Sequence, residues 1–241
     1  MIEIKKSTAV PAELVKLQQE AVNQELTADD AFDTLRKPLK NNVIELLLKE
    51  QGHICAYCMR KIPDEREGPP HVKIEHWNAR NGEHGETCGP YGALSYDNFL
   101  AVCSGNQNDR SKGKEKKLTC DASRGNKKLV VNPLDAKTLS TIYYMEDGLI
   151  TADDSDVKKD LTITLNLNCM RDSVQLPVER KKVLDALEAE ITAEAEAGGS
   201  VLEICTRFYH ELLELDDEKP PYIGILLWWL KDFINKSAAD T

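Results

Sequence analysis

The chain has 241 residues, of which 30% are charged and 41% hydrophobic, and its formal net charge is −10. This composition is typical of a folded globular protein and argues against a disordered chain or a membrane protein. The acidic balance argues against a protein that holds nucleic acid through its overall charge. No secretory leader opens the sequence and no apolar run of about 18 residues occurs, so we expect a cytoplasmic protein.

The first predicted segment, residues 1–52, is helical. Apolar residues recur at near-helical spacing in residues 11–24 and again in residues 31–50, which predicts two amphipathic helices. Thr27 or Asp29 could cap the second helix, and Gly52 is a suitable C-terminal stop.

The middle segment, residues 53–134, is rich in turn-forming residues, and its strand-like runs are residues 71–77 and 129–132. The last segment, residues 135–241, begins with a predicted hairpin in which Asp147 and Gly148 separate residues 141–144 from 149–151. Helices are predicted over 156–165, 177–197, 200–215 and 221–235. The predicted fold class is therefore mainly α with a small α+β insert.

Cysteine spacing indicates a metal site in the middle segment. In a reducing compartment clustered cysteines are better interpreted as metal ligands than as disulfides. Cys55 and Cys58 have the spacing of a zinc knuckle, and Cys103 and Cys120 are the best second pair. These residues predict a four-cysteine structural zinc site.

Alternatives to the second pair remain open. Cys103 and Cys120 could instead be buried thiols, as we expect for Cys169 and Cys205. Cys88, in a glycine-rich loop, could replace either member of the second pair. His53 is a weaker candidate for a ligand.

Between the two cysteine pairs lies a pattern that carries chemistry. Glu75 and His76 end a strand-like run, and Asn98 follows after a long turn-rich loop. A single histidine is usually structural. A carboxylate and histidine followed by an Asp-Asn segment and bracketed by cysteines is much rarer.

At these residues the chain resembles the HNH endonuclease family. The resemblance covers about a third of the chain. More narrowly, it is similar to the HNH component of Septu-type anti-phage systems, which is also found beside some retrons. The segments that carry the resemblance are Cys55-Ala56-Tyr57-Cys58, Ile74-Glu75-His76-Trp77, Tyr96-Asp97-Asn98-Phe99-Leu100, Cys103, Cys120-Asp121 and Asn132-Pro133-Leu134.

The resemblance implies a zinc-stabilised ββα-metal core flanked by helices, and it implies a role for each matching residue. His76 matches the general base that activates water, and Glu75 matches the acidic residue that helps to hold a divalent metal. Asn98 matches the residue that orients the loop and the base. Asp121 matches the third position, where an oxygen ligand suits Mg²⁺ or Mn²⁺.

The chain departs from the family pattern in the spacing of its second cysteine pair. The family's pair is close-spaced, whereas Cys103 and Cys120 enclose a basic segment. Asn106 or Asn108 could therefore be the third metal ligand instead of Asp121. We favour Asp121, because it follows a cysteine as the family pattern expects.

The enclosed segment is basic in an otherwise acidic chain, and we expect the loop of residues 104–119 to hold a nucleic-acid backbone without reading its sequence. A solvated loop is the alternative. Trp77 could stack on a base, although a core position is the favoured interpretation. The basic residues of this region are Arg110, Lys112, Lys114, Lys116, Lys117, Arg124, Lys127 and Lys128.

The leading hypothesis is a metal-dependent HNH nuclease subunit that acts in an anti-phage complex with an ABC-type ATPase, the partner that the resemblance implies. The substrate could be DNA or RNA. The alternative is a non-catalytic, zinc-stabilised adaptor or nucleic-acid-binding subunit. The apolar C-terminal helix could be buried in the chain, dock on the partner, or do both with different faces.

Overall fold

A computed structural model describes residues 1–62, 72–107, 118–171 and 174–239. Within these residues the protein is mainly helical, with three small antiparallel sheets of two strands each. The hydrophobic core is one cluster that draws on all three predicted segments, as Leu47, Phe99 and Leu184 illustrate.

The N-terminal segment contains three helices, α1 (Ala12–Asn23), α2 (Ala28–Asp33) and α3 (Leu39–Gln51). The prediction of one continuous helix over residues 31–50 was wrong. Pro38 lacks a backbone N–H and disfavours a helical conformation at Lys37, so the chain breaks between α2 and α3. The Thr27 side chain caps α2 by accepting a hydrogen bond from the backbone N–H of Asp30, and Gly52 ends α3 in the left-handed conformation.

The middle segment contains β1 (Val72–His76), α4 (Gly89–Ala93), β2 (Phe99–Cys103) and α5 (Cys120–Arg124). Strands β1 and β2 are antiparallel, with His76 opposite Phe99 and Val72 opposite Cys103. This register brings the end of β1 beside the start of β2, so the loop between the strands is anchored at both ends.

The strand predicted over residues 129–132 is absent from the described structure. The backbone N–H of Val131 donates to Asp160 Oδ2 at 3.0 Å, and that of Asn132 donates to Thr138 Oγ1 at 3.1 Å. Side chains therefore satisfy the amides that a strand partner would otherwise bind. The prediction of a strand over residues 129–132 was wrong, because an apolar run indicates that a segment is buried and does not show that it pairs in a sheet.

The C-terminal segment begins with α6 (Ala136–Leu139) and the predicted hairpin, formed by β3 (Ile142–Tyr144) and β4 (Ile150–Ala152). Helix α7 (Ser155–Lys159) continues into a π-helical turn, Asp160–Thr164, and β5 (Met170–Arg171) pairs with β6 (Val174–Gln175). The last helices are α8 (Leu176–Glu196), α9 (Val201–Leu213) and α10 (Ile223–Ala239).

One face of α10 is buried in the core through Ile223, Ile225, Leu226 and Leu230. Burial therefore accounts for much of the apolar character of this helix, while Trp228 and Trp229 are half-buried on its other faces. Across the four described ranges, no helix combines the length and apolar character that a membrane span requires.

Candidate functional site

The four predicted cysteines meet at one buried point. The Sγ atoms of Cys55, Cys58, Cys103 and Cys120 all lie within 4.8 Å of one another. Three of the pairs are separated by 3.9 Å (Cys55 and Cys120), 3.8 Å (Cys58 and Cys103) and 3.7 Å (Cys103 and Cys120). Four sulfurs bound tetrahedrally at about 2.3 Å from zinc would lie roughly 3.8 Å apart. The cluster is therefore compatible with a structural zinc site.

The thiols of this cluster differ in acidity. Burial raises the pKa of the Cys55 thiol, whereas hydrogen bonds from the neighbouring thiols lower the pKa of Cys103. Zinc binds thiolates, so its binding would release the proton that burial keeps on the Cys55 sulfur.

Backbone contacts bring the cysteines together from distant parts of the sequence. The knuckle is attached to β2, because the N–H of Ala56 donates to the carbonyl of Ala101 at 3.1 Å. Cys120 approaches β2 because Thr119 N donates to the carbonyl of Gly105 at 3.1 Å. Gly105 has a φ of +57°, and a Cβ there would lie 2.2 Å from the Thr119 carbonyl oxygen. Only glycine allows this close approach.

The alternative ligands lie outside the cluster. Cys88 is half-buried, and Cys169 and Cys205 are buried elsewhere, as expected for the last two. His53 is also outside the cysteine group. The described residues therefore support Cys103 and Cys120 as the second pair.

His76 is a buried, neutral histidine at the end of β1. Its Nε2 lies 3.0 Å from the carbonyl oxygen of Ala93, which can only accept a hydrogen bond. Nε2 therefore carries the proton and the lone pair is on Nδ1. Burial lowers the pKa of His76 to about 4. The rings of Phe32 and Phe99 contact the imidazole edge-on, with centroids at 4.7 and 5.1 Å.

Asn98 holds the loop that positions this histidine. Its Oδ1 accepts a hydrogen bond from the N–H of Asn78 at 2.7 Å, and its Nδ2 donates to the carbonyls of Asn78 and Gly92 at 3.0 Å. Gly92 directly precedes Ala93, whose carbonyl binds His76. The side chain of Asn98 therefore orients the loop and, through it, the imidazole.

Glu75 projects from the opposite side of β1, because consecutive strand residues alternate between faces. Its carboxylate forms a buried ion pair with Arg124 and accepts a hydrogen bond from the Tyr57 hydroxyl at 3.1 Å. The carboxyl group of Glu75 also interacts with that of Asp121. Burial and the negative charge of Asp121 raise the pKa of Glu75 to about 8, although Arg124 opposes this effect.

Arg124 is a component of the site that the sequence analysis missed. It was counted among the basic residues between positions 110 and 128 and was given no role in the site. Arg124 is buried, and besides Glu75 it donates to the backbone carbonyls of His76 at 2.9 Å and Trp77 at 2.6 Å. Asp121 and Arg124 are three residues apart, and this spacing places both on one face of α5. The sequence contained this signal for a shared site.

Of the candidates for the third ligand position, Asp121 is the described residue that lines the cavity with Glu75 and His76. It lies next to Glu75, and Lys73 Nζ is 3.8 Å from its carboxylate. Asn106 contacts Arg60 through its Oδ1 at 3.5 Å and is not among the described residues that line the cavity beside His76. Asn108 lies outside the described residues, as does the basic segment from Arg110 to Lys117.

His76, Glu75 and Asp121 line a common cavity of about 530 Å³. Helices α2 and α3 form the opposite wall, which the sequence analysis did not anticipate. Trp77 is half-buried, and its Nε1 donates to the carbonyl of Val131 at 2.9 Å, which supports a core role for this ring. The residues of the opposite wall are Phe32, Lys37, Lys40, Asn41 and Ile44.

Comparison of the chain with protein-family models finds no matching family, and comparison with curated proteins finds no significant match. The interpretation of the cavity therefore depends on its own geometry and on the resemblance of its motifs.

Proposed function

We propose that this chain is a metal-dependent, HNH-type endonuclease subunit with a ββα-metal core that hydrolyses phosphodiester bonds of nucleic acid. The observation that carries the proposal is the cavity that a neutral histidine, His76, lines together with the paired carboxyl groups of Glu75 and Asp121. A four-cysteine cluster, in which a zinc ion would have no open coordination position, adjoins it through α5.

Each of these residues has a chemical role in the proposed reaction. The Nδ1 lone pair of His76 accepts a proton from the attacking water, a contribution worth about 10² to 10⁴-fold in rate. Two adjacent carboxylates repel each other, and the oxygen ligands of Glu75 and Asp121 suit Mg²⁺ or Mn²⁺. When bound there, this ion polarises the phosphate and stabilises the departing oxygen.

The pairing of Glu75 with Arg124 favours a second candidate function. A carboxylate already neutralised by a buried guanidinium, beside an Asp121 already paired with Lys73, has less need of a metal ion. Under this reading the cavity is structural and the chain is a zinc-stabilised adaptor or nucleic-acid-binding subunit.

The anti-phage role and the ABC-type ATPase partner are part of the proposal on the strength of the resemblance. A groove of about 1290 Å³, lined in part by Tyr209 and Leu212 of α9 and by Leu227 and Trp228 of α10, is the surface on which that contact can be tested. We expect Leu212→Glu to weaken binding to the ATPase without affecting zinc content.

A nuclease assay tests the proposal. Wild type, His76→Ala and His76→Gln are incubated with DNA and RNA in Mg²⁺ or Mn²⁺, alone and with the ATPase, and zinc is quantified in each protein. His210, exposed on α9, provides the control variant His210→Ala. We expect both His76 variants to lose at least about 10²-fold in rate and to keep their zinc, while His210→Ala remains active.

Two results would favour the adaptor. One is equal cleavage by wild type and the His76 variants. The other is the absence of metal-dependent cleavage by the complete complex although zinc is fully bound. The polymer that is cleaved distinguishes a DNA substrate from an RNA substrate.

A further inference from the structure

The cavity beside His76 is lined by basic side chains in a chain that is acidic overall. Lys37, Lys40, Lys73 and Arg80 all contribute to its described lining. Lys73 is paired with Asp121 at 3.8 Å, and Arg80 is paired outside the cavity with Asp29 at 2.6 Å. Two cations of the lining are therefore already used in ion pairs within the protein.

Lys37 and Lys40 differ from the other two cations. Neither lysine has an acidic partner within 4 Å among the residues that the structure describes. Lys37 is exposed and Lys40 is half-buried. Lys37 lies in the break between α2 and α3, Lys40 lies in the first turn of α3, and both line the cavity.

The ring of Phe32 contacts two of the lining cations, Lys40 and Arg80, and also the imidazole of His76. Lys40 Nζ lies 5.1 Å from the centroid of the Phe32 ring, and Arg80 Cζ lies 4.7 Å from it. The same ring contacts His76 with a centroid distance of 4.7 Å. A single ring therefore separates the two cations from the candidate general base.

We propose that Lys37 and Lys40 form a phosphate-binding subsite for a backbone phosphate next to the one that is cleaved. The inference rests on the proposed function, because it assigns a neighbouring position on the same polynucleotide. Unpaired lysines at a cavity mouth attract a polyanion, and such contacts position a backbone without reading its sequence. The subsite explains how an acidic chain holds nucleic acid without relying on its overall charge.

Binding to short DNA and RNA oligonucleotides tests the subsite independently of catalysis. Fluorescence anisotropy is measured between about 50 and 200 mM salt, with His76→Ala as the parent protein so that the oligonucleotides stay intact. Adding Lys37→Ala and Lys40→Ala should weaken binding roughly tenfold. The slope of log affinity against log salt concentration should become shallower by about one to two.

The control variant removes the same charge elsewhere. Lys16 and Lys236 are exposed by 78% and 75% and lie on α1 and α10, away from the cavity. Replacing both with alanine should leave affinity and slope near those of the parent. Equal losses in the two double variants, no loss in either, or no binding by the parent would overturn the subsite.

A small substrate separates this inference from the proposed nuclease activity. Bis(p-nitrophenyl) phosphate has no neighbouring phosphate, so the Lys37→Ala/Lys40→Ala variant with His76 intact should raise the KM for polynucleotides by a much larger factor than the KM for this small substrate. If wild type hydrolyses neither substrate, the nuclease proposal fails and the binding result still decides the subsite. If the variant loses both activities equally, the lysines act on the fold or on the chemistry and not on a neighbouring phosphate.

Discussion

The cysteine cluster and the His76 cavity lie on either side of the same short elements, but their polar groups are satisfied in different ways. The four sulfurs of the cluster converge on one point and contact mainly each other. In the cavity, Glu75 is paired with Arg124, Asp121 with Lys73, and His76 with a backbone carbonyl. The cluster is arranged for one small cation, whereas the cavity pairs the charges of Glu75 and Asp121 within the protein and leaves Lys37 and Lys40 without an acidic partner among the described residues.

Helix α5 is the element that the two regions share. Within five residues it supplies Cys120 to the cluster, Asp121 to the carboxylate pair and Arg124 to the buried ion pair. The position of the carboxylate pair therefore depends on the cysteine cluster, and the following predictions test that dependence and the contrast between the two regions.

The largest effect is expected from a cysteine ligand. Cys120→Ser should abolish stoichiometric zinc and lower the Tm by more than about 10 °C, because structural zinc contributes roughly 10 kcal/mol of apparent free energy in small zinc domains. Cys88→Ser is the matched control, since Cys88 lies outside the cluster. Metal analysis measures the zinc content of each variant, and thermal unfolding followed by circular dichroism measures its Tm. Normal zinc content in Cys120→Ser would show that the cluster does not hold the ion.

A smaller effect is expected at the buried ion pair. Arg124→Met should destabilise the fold by about 3–5 kcal/mol in urea unfolding, because it removes the cation of a buried ion pair and the donor of the hydrogen bonds to the carbonyls of His76 and Trp77. The double variant Arg124→Met/Glu75→Gln should recover part of this loss. Arg207, whose ion pairs lie on the exposed face of α9, provides the control Arg207→Met, for which we expect little change. Equal effects of the two single variants would contradict a special role for the buried pair.

Gly105→Ala tests the backbone approach that brings Cys120 to the cluster. We expect a loss of more than about 1 kcal/mol, because the residue has a positive φ and its Cβ would collide with the Thr119 carbonyl. Zinc affinity should fall together with stability. Gly198 also has a positive φ, but nothing lies within 4 Å of a Cβ placed there, so Gly198→Ala measures the cost of the conformation alone. A similar loss of stability in Gly105→Ala and Gly198→Ala would show that the close approach to Thr119 contributes nothing beyond the positive φ.

The smallest effect is expected at the cap of α2, which carries Phe32. Thr27→Ala removes the side-chain acceptor for the Asp30 N–H and should cost about 1 kcal/mol in unfolding free energy. Thr27→Ser keeps a hydroxyl and serves as the control. Cleavage should be nearly unchanged in both, because packing against His76 and Phe99 still holds Phe32.

Local signals predicted the helices and the β3–β4 hairpin well, because amphipathic spacing, capping residues and an Asp-Gly turn act within a few residues. Local signals failed where side chains from distant parts of the sequence bind backbone amides that a strand partner would otherwise bind. The strand predicted over residues 129–132 is replaced by hydrogen bonds to the side chains of Asp160 and Thr138. The helix predicted over residues 31–50 is interrupted at Pro38, a local signal that the apolar spacing obscured.

The sequence by itself singled out the four cysteines of the cluster together with Glu75, His76, Asn98 and Asp121, because metal-binding and carboxylate-histidine motifs are defined by residue type and spacing. Only the tertiary structure decided that Arg124 is buried against Glu75 and that Lys37 and Lys40 face the cavity. The sequence shows which side chains are charged. Whether a charge binds a ligand or pairs within the protein depends on what the fold packs against it.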